Sequence, residues 1–317
     1  MAVDVDAAGL DTLASAIGAD GGRVSVVAGD VSDPATADRM LGARIGYRSP
    51  PGRSATGRTF PRQPGRGRAG GMVRIIGSYI SPYVRKVLVV LDMKGLSYEI
   101  DPIIPFMGDD RFSAVSPVRR IPVLMDDRLT LADSSVICQY LEDRYPTPAL
   151  LPADIGQRAR ARWLEEYADT RMGEVFIWRL FNQVTINPFL WGEPTDQEIL
   201  RRTLEEEIPQ VLGYLEGELP AEGHLFGDVS IADVAIAVFF RNAAFARFTI
   251  DRAHWPKTAA FVDRVLALPS FQKLRPFEDR CVRTPIAQHR TVLAELGAPL
   301  LAETYGTTSP RRGMMRI

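Results

Sequence analysis

The sequence predicts a small α/β domain followed by an all-helical domain, with an appended segment ahead of both. Three observations lead there. Residues 72–146 alternate short apolar runs with two amphipathic helices, in the order βαβ and then ββα. From about residue 155 the apolar spacing is helical in run after run. Before both, residues 42–71 hold seven Arg, eight Gly and four Pro with no acid, too little apolar area to offset the entropy of ordering, so a disordered linker is expected there.

A chain of 317 residues has room for about two domains. At 46% hydrophobic and 24% charged it has the balance of a soluble globular protein. The net charge of −1 carries no signature of nucleic acid or of an anionic membrane. No apolar run nears the roughly 18 residues of a spanning helix. The first 20 residues are acidic and lack a signal peptide's basic-then-apolar profile. Cys138 and Cys281 stand far apart and in no CxxC, which fits a reducing compartment, so the expected location is cytoplasmic.

Residues 1–41 read as a strand end, a helix over about 7–18, a strand at Val24–Val27 and a turn into another helix. They resemble the second helix and third strand of a short-chain dehydrogenase. That likeness implies Asp4 or Asp6 facing a cofactor ribose and the GDVSD string beside the adenine. The glycine-rich phosphate turn is missing, as are that family's catalytic Tyr and Lys. A non-functional appendage joined ahead of Met72 is therefore expected, with nicotinamide binding as its rival. The arginines of the 42–71 linker follow no amphipathic pattern, so a plain linker is favoured over a nucleic-acid arm or a transit peptide starting at Met40.

Within the α/β domain, Val73–Ile76 reads as a buried strand and Gly77–Ile80 as a loop. Ser81 is a good helix N-cap and Pro82 a good first helical residue. The helix from Pro82 to Lys94 repeats Val84, Val87, Leu88 and Leu91, and Gly95 stops it in left-handed conformation. Tyr98–Ile100 is a second strand, and Pro102 and Pro105 open a loop. Pro122–Met125 and Leu129–Leu131 read as a hairpin around Asp126-Asp127-Arg128. Asp133-Ser134 opens a helix with Val136, Ile137, Tyr140 and Leu141 inward and Pro146 beyond its end.

Residues 147–154 read as an interdomain linker. The helical domain, 155–284, shows patterns over about 155–182, 196–217, 230–248 and 256–268. Ser230 and Asp233 form a capping box variant ahead of the apolar VAIAVFF run. WGEPTDQE (191–198) interrupts the pattern and reads as a mobile lid. A packed helix at about 286–296 and a frayed tail complete residues 285–317.

The strings SPYVRKVLVVLDMKGLSYE, SPVRRIPVLMDDRLTLADSSVICQYLE and GDVSIADVAIA, in this order, resemble the cytosolic glutathione S-transferases, most of all the serine-type members such as the tau class and bacterial homologues. The likeness covers residues 72–280. It implies a thioredoxin-like N-terminal domain, an all-helical C-terminal domain, glutathione as co-substrate, a small hydrophobic electrophile as its acceptor and a homodimer. Ser81 then donates a hydrogen bond to the glutathione sulfur, with Tyr79 as the alternative. Asp133 takes the γ-glutamyl ammonium, and the Ser134 hydroxyl and N–H take the adjacent carboxylate. Arg120 pairs with the glycine carboxylate, and the Ile121 main chain, before a cis Pro122, pairs with the cysteinyl amide. Tyr167, Arg171, Trp178 and Trp191 are candidate walls of the electrophile pocket. The capping box serves folding.

Each of these residues also has an ordinary role. Asp133 and Ser134 are good plain caps, Arg119 and Arg120 a solvated pair, Pro122 a strand start, and the aromatics core. A non-catalytic glutathione-fold binding or regulatory protein is accordingly the alternative function. The chemistry assigned to Ser81 is energetically sufficient. A thiol titrates near 8.5, and ionising it at neutrality requires about 2.7 kcal/mol. A hydrogen bond to a charged partner contributes about 1.5–3 kcal/mol, and a helix N-terminus about 0.3–1 kcal/mol more. His224, His254 and His289 are remote from Ser81 and show no ligand spacing, so neither a Ser-His-Asp triad nor a metal is expected.

Overall fold

The computed structural model describes residues 72–312; the dehydrogenase-like segment expected over 1–41 and the linker over 42–71 lie outside the described residues. Strand β1 (Val73–Ile76) buries Val73, Ile75 and Ile76, as a central strand covered on both faces must. It pairs in parallel with β2 (Tyr98–Asp101) and antiparallel with β3 (Val123–Met125), which pairs antiparallel with β4 (Thr130–Ala132). The order is β2-β1-β3-β4, a thioredoxin-like mixed sheet.

Helix α1 (Pro82–Met93) starts at Ser81 in extended conformation, with Pro82 at its first position, and ends where Gly95 adopts a φ of 66°. It is buried almost all round, including Arg85 and Lys86. A short helix α2 (Asp110–Val115) stands where sequence gave only loop. Six residues are too few for an apolar repeat to register, and its start is set by Asp109, which accepts from the Phe112 N–H at 2.9 Å. Helix α3 (Ser134–Arg144) follows β4. Its Val136, expected inward, is 49% exposed, because Ile137, Cys138 and Leu141 carry the buried face.

The helical domain begins with α4 (Ile155–Tyr167), which runs without a break into the wider-wound α5 (Ala168–Trp191). Helix α6 (Gln197–Arg202) joins α7 (Ile208–Glu218) through the wide turn Thr203–Glu207. Helix α8 (Ile231–Phe245) is the central one, with twelve of its residues buried. Helices α9 (Pro256–Leu266), α10 (Pro269–Val282) and α11 (His289–Glu295) surround it. The first long pattern thus extends nine residues past the expected 182, through Pro188, and α10 was not expected as a separate helix.

Two segments expected to be loose are tied down. In the 191–198 interruption, Thr195 Oγ1 donates to the Gln183 carbonyl at 2.9 Å and Asp196 N–H to Gln183 Oε1 at 2.8 Å. The tail is likewise bound to β2: Ile100 N–H donates to Pro299 O at 2.8 Å and Leu301 N–H to Ile100 O at 2.9 Å.

Arg85, wholly buried, joins the domains. Its Nε pairs with Glu278 of α10 at 2.5 Å, and its Nη1 donates to Val238 O and Asn242 Oδ1 of α8 at 2.8 and 2.9 Å. Glu278 is shared with Arg241 at 2.9 Å, and Arg241 also pairs with Asp279 at 2.6 Å, so two carboxylates match the two guanidinium groups.

The Ser230–Asp233 capping box is present, and its carboxylate does more than cap. Asp233 is fully buried and accepts from Ser230 N–H at 2.8 Å, Ser230 Oγ at 2.5 Å and Leu225 N–H at 3.0 Å. Hydrogen bonds to a buried charge exceed a simple cap in value, so Asp233→Ala is expected to lower unfolding stability by about 2–3 kcal/mol. Urea denaturation checks this, and an unchanged midpoint would refute it.

Candidate active site at one end of the sheet

The register of the sheet gathers the candidate residues. Gly77 N–H donates to Asp101 O at 2.9 Å, so the segments leaving β1 and β2 emerge together. Ile76 stands opposite Val123, and Val123 opposite Ala132. The approach to β3 and the exit of β4 therefore lie at that same end. Ser81, Ile121-Pro122 and Asp133-Ser134 converge there, with the 102–108 loop beside them, in the usual place for ligands outside strand carboxyl ends.

Ser81 is half-buried, with its N–H on Ser78 O at 3.0 Å and its Oγ accepting from Val84 N–H at 3.4 Å. A hydroxyl that accepts from the helix keeps its own proton to donate. Tyr79 is turned the other way. Only 1% exposed, its ring lies 5.0 Å from that of Phe277, and its hydroxyl is buried beside Tyr98 without a well-formed hydrogen bond. Burial pushes that phenol far above its usual pKa. Neither cysteine is a rival nucleophile, since burial raises the Cys138 thiol and pushes Cys281 up to about 12.

The Ile121–Pro122 bond is cis. Arg119 and Arg120 divide their work rather than forming a solvated pair. Arg119, with φ at 51°, donates to Gly108 O at 2.8 Å and Ser113 Oγ at 2.5 Å and lies over the Phe112 ring. Arg120 is exposed. Asp133 has a φ of 91°, a conformation that L-residues hold only where surrounding structure enforces it. Its Oδ1 accepts from Ser135 N–H at 3.0 Å and Val136 N–H at 3.2 Å. The Ser134 hydroxyl, expected to face an anion, is buried and directed at Asp169 Oδ2, 3.5 Å away. An inward carboxylate attracts it, which leaves the N–H as Ser134's contribution at the helix start.

That carboxylate belongs to a buried cluster the sequence did not reveal. Lys86 Nζ lies 2.8 Å from Glu165 and 2.5 Å from Asp169, and donates to Ser135 Oγ at 3.1 Å. Ser135 Oγ donates to Asp169 at 2.7 Å, and Tyr83 Oη donates to the Asp169 carbonyl at 3.0 Å. One ammonium thus serves two carboxylates. Burial works against the Lys86 charge, but Asp169 and Glu165 outweigh it and hold that pKa above the usual lysine value. Burial raises Asp169, and its like-charged neighbour Glu165 adds to the rise against Lys86. Burial raises the Tyr83 phenol well above its usual pKa, and the neighbouring Asp169 adds to the rise. The one available signal was that α1 has no polar face, so any charge on it must be paired.

The pocket-wall expectations divide. Tyr167 packs on Tyr214 of α7 at 4.4 Å, its hydroxyl pushed up to about 12 by burial, and Arg171 pairs with Glu174 at 3.1 Å and with Glu207 at 3.8 Å. Both face the α6–α7 seam, because they sit across the helix from Asp169 and Gly173, which face α1. Gly173 has to lack a side chain: a Cβ there would lie 2.2 Å from Tyr83 Oη. Trp178 is half-buried against the core. Trp191 meets the 102–108 loop, with Phe106 edge-on at 5.5 Å.

Comparison with known proteins agrees with this architecture. The glutathione S-transferase N-terminal domain pattern matches residues 75–149 and the C-terminal domain pattern residues 177–269. The chain is 30% identical over 210 residues to the uncharacterized GST-like protein YibF of Escherichia coli (strain K12), covering 64% of this chain and 98% of that one. It is 32% identical over 206 residues to a maleylacetoacetate isomerase of Pseudomonas aeruginosa, covering 62% of this chain and 93% of the other. A glutathione S-transferase crystal structure from Sinorhizobium meliloti 1021 superposes with a TM-score of 0.59 at 26% identity, over 69% of this chain and 97% of that one.

Removing the ammonium would leave two carboxylates buried against each other. Lys86→Met is expected to cost about 3–5 kcal/mol of unfolding free energy, and adding Asp169→Asn to restore part of it. Equal losses in the single and double variants, measured by urea unfolding, would show that the charges are not coupled.

Proposed function

The chain belongs to the glutathione S-transferase family, and from that premise we propose that it ionises glutathione at this end of the sheet and transfers the sulfur to a small hydrophobic electrophile. The observation that carries the proposal is the half-buried Ser81 hydroxyl at the start of α1, its proton uncommitted, on the same sheet end as Ile121-Pro122 and Asp133-Ser134.

In this reading the tripeptide lies across the strand ends. Asp133 receives the γ-glutamyl ammonium, and the Ser134 main-chain N–H at the start of α3 receives the adjacent carboxylate. Ile121 pairs with the cysteinyl amide, and Arg120 with the glycine carboxylate. Asp169 is a positioning residue: by holding Ser134, Ser135 and Lys86 it fixes the start of α3. Ser81 donates to the sulfur, and the positive end of α1 adds to the stabilisation. The thiolate lone pair forms the new C–S bond while the leaving group departs with its electrons, or the electron pair of a polarised double bond moves away in an addition. The acceptor lies beside α5, with Trp178 and Trp191 as its wall candidates.

A second reading has its own support. The Pseudomonas aeruginosa relative is named an isomerase, and reversible thiolate addition to a double bond would let the same site isomerise it. The Ser-Ser-Cys-Ser type of signature that marks the isomerising zeta class of the family is absent around Ser81, which favours transfer. Homodimerisation in the cytoplasm completes the proposal. Its structural support is the exposed Val136 on α3 and Trp163 on α4, 49% and 48% accessible. No helix among the described residues is long and apolar enough to cross a membrane.

Retention on immobilised glutathione, followed by turnover with an activated aryl halide, tests the whole reading. Retention and turnover are expected; neither would leave a non-catalytic protein of the same fold. Ser81→Ala is expected to raise the pKa of bound glutathione by about 2 pH units and to lower kcat, with little change in glutathione KM. Unchanged thiolate absorbance in that variant would remove Ser81 from the mechanism.

A further inference from the structure

The last residues before the cis bond at Pro122 are Arg119, Arg120 and Ile121. The first of them holds a φ of 51°, a conformation that glycine takes freely and arginine seldom does. Such a conformation persists where contacts enforce it, and here the arginine's own side chain supplies them. Its Nη2 donates to Gly108 O at 2.8 Å and reaches Pro105 O at 3.5 Å. Its Nη1 donates to Ser113 Oγ at 2.5 Å and reaches Asp109 O at 3.5 Å. The guanidinium also lies over the ring of the fully buried Phe112, 5.6 Å from its centroid.

The far side of this latch is firm. Gly108 sits so tightly on Phe112 that a Cβ would lie 2.1 Å from the ring. Asp109 N–H donates to Tyr305 O at 2.8 Å and Thr307 N–H to Met107 O at 2.7 Å. On the near side the fully buried Ser116 holds the chain. Its carbonyl accepts from Arg119 N–H at 2.8 Å, and its Oγ accepts from Arg120 N–H at 3.0 Å while donating to Arg120 O at 2.8 Å. Both main-chain groups of Arg120 are thus occupied. Ile121, next along, makes no main-chain hydrogen bond with the other described residues. Its peptide is left for an incoming chain, and its direction is inherited from the two residues before it.

We propose that Arg119 is a positioning residue for the bound tripeptide: by latching the chain to the 105–109 loop it directs the Ile121 peptide and places Arg120, and so sets a preference for thiols that carry a terminal glycine. The inference rests on the glutathione reading above, since it concerns that same site. Its physical basis is preorganisation: a peptide group already held in its bound direction loses less freedom when the ligand arrives. A planar fork suits the task better than a point charge, because the acceptors lie around one guanidinium.

Titration calorimetry with glutathione and with γ-glutamylcysteine, which lacks the glycine, tests this. The parent is expected to bind glutathione more tightly. Arg119→Gly keeps the left-handed backbone without strain and removes the latch. It should weaken glutathione binding by about threefold to tenfold, the range of one ordinary hydrogen bond, and narrow the gap between the two ligands. Its urea midpoint should stay near the parent's, since relief of strain offsets the lost contacts. Arg119→Lys keeps a cation beside Gly108 O and should recover part of the affinity. Ser113→Ala removes a single acceptor from the far side and should move both readings the same way by a smaller amount.

An unmoved glutathione affinity across all these variants overturns the proposal, as does equal weakening for both ligands. Either result leaves the transfer reading standing. A parent that binds neither ligand overturns that reading, and the positioning role with it.

Discussion

Two consecutive cations on a helix with no solvent face organise this protein. Arg85 and Lys86 of α1 are wholly buried, and each can stay charged only by finding carboxylates from another part of the chain. Arg85 turns to Glu278 of α10 and to α8. Lys86 turns the other way, to Glu165 of α4 and Asp169 of α5. Neighbouring residues on a helix point about 100° apart. One helix of the α/β domain is therefore held from two directions by the helical domain, and the interface between them has a single register.

That register reaches the chemistry. Asp169 is shared between Lys86 and the hydroxyls of Ser134 and Ser135, so the charge that docks the domains also orients the start of α3. The same α1 that carries Lys86 is capped by Ser81, five residues before it. Domain docking and substrate alignment are thus one arrangement. The strained Asp133, with φ at 91°, fits the same account: its conformation is enforced by a helix start fixed from below.

Much of this was legible in the residues. The β1 boundaries, the Ser81 cap, the Gly95 stop and the Ser230–Asp233 box are local signals, readable because capping and chain reversal depend on a few adjacent residues. The motif strings gave the family, which the comparisons bear out. The short α2 escaped because it has too few residues for periodicity. The surroundings of Tyr167 and Arg171 were not legible, because the pattern shows that a helix has several faces but not which neighbour each one meets. Lys86, Glu165 and Asp169 were passed over for the opposite reason: singly they read as surface charges, and their partners lie far apart in sequence.

By itself the sequence determined most of the elements and their order, the two-domain fold and the family, since these follow from spacing and from local hydrogen-bonding needs. Only the tertiary structure decided that Tyr79 points into the core, that the Ser134 hydroxyl turns to Asp169, and that the tail pairs with β2. Each of those outcomes depends on a group brought in from dozens of residues away. Which partner a buried charge or ring finds is settled by packing.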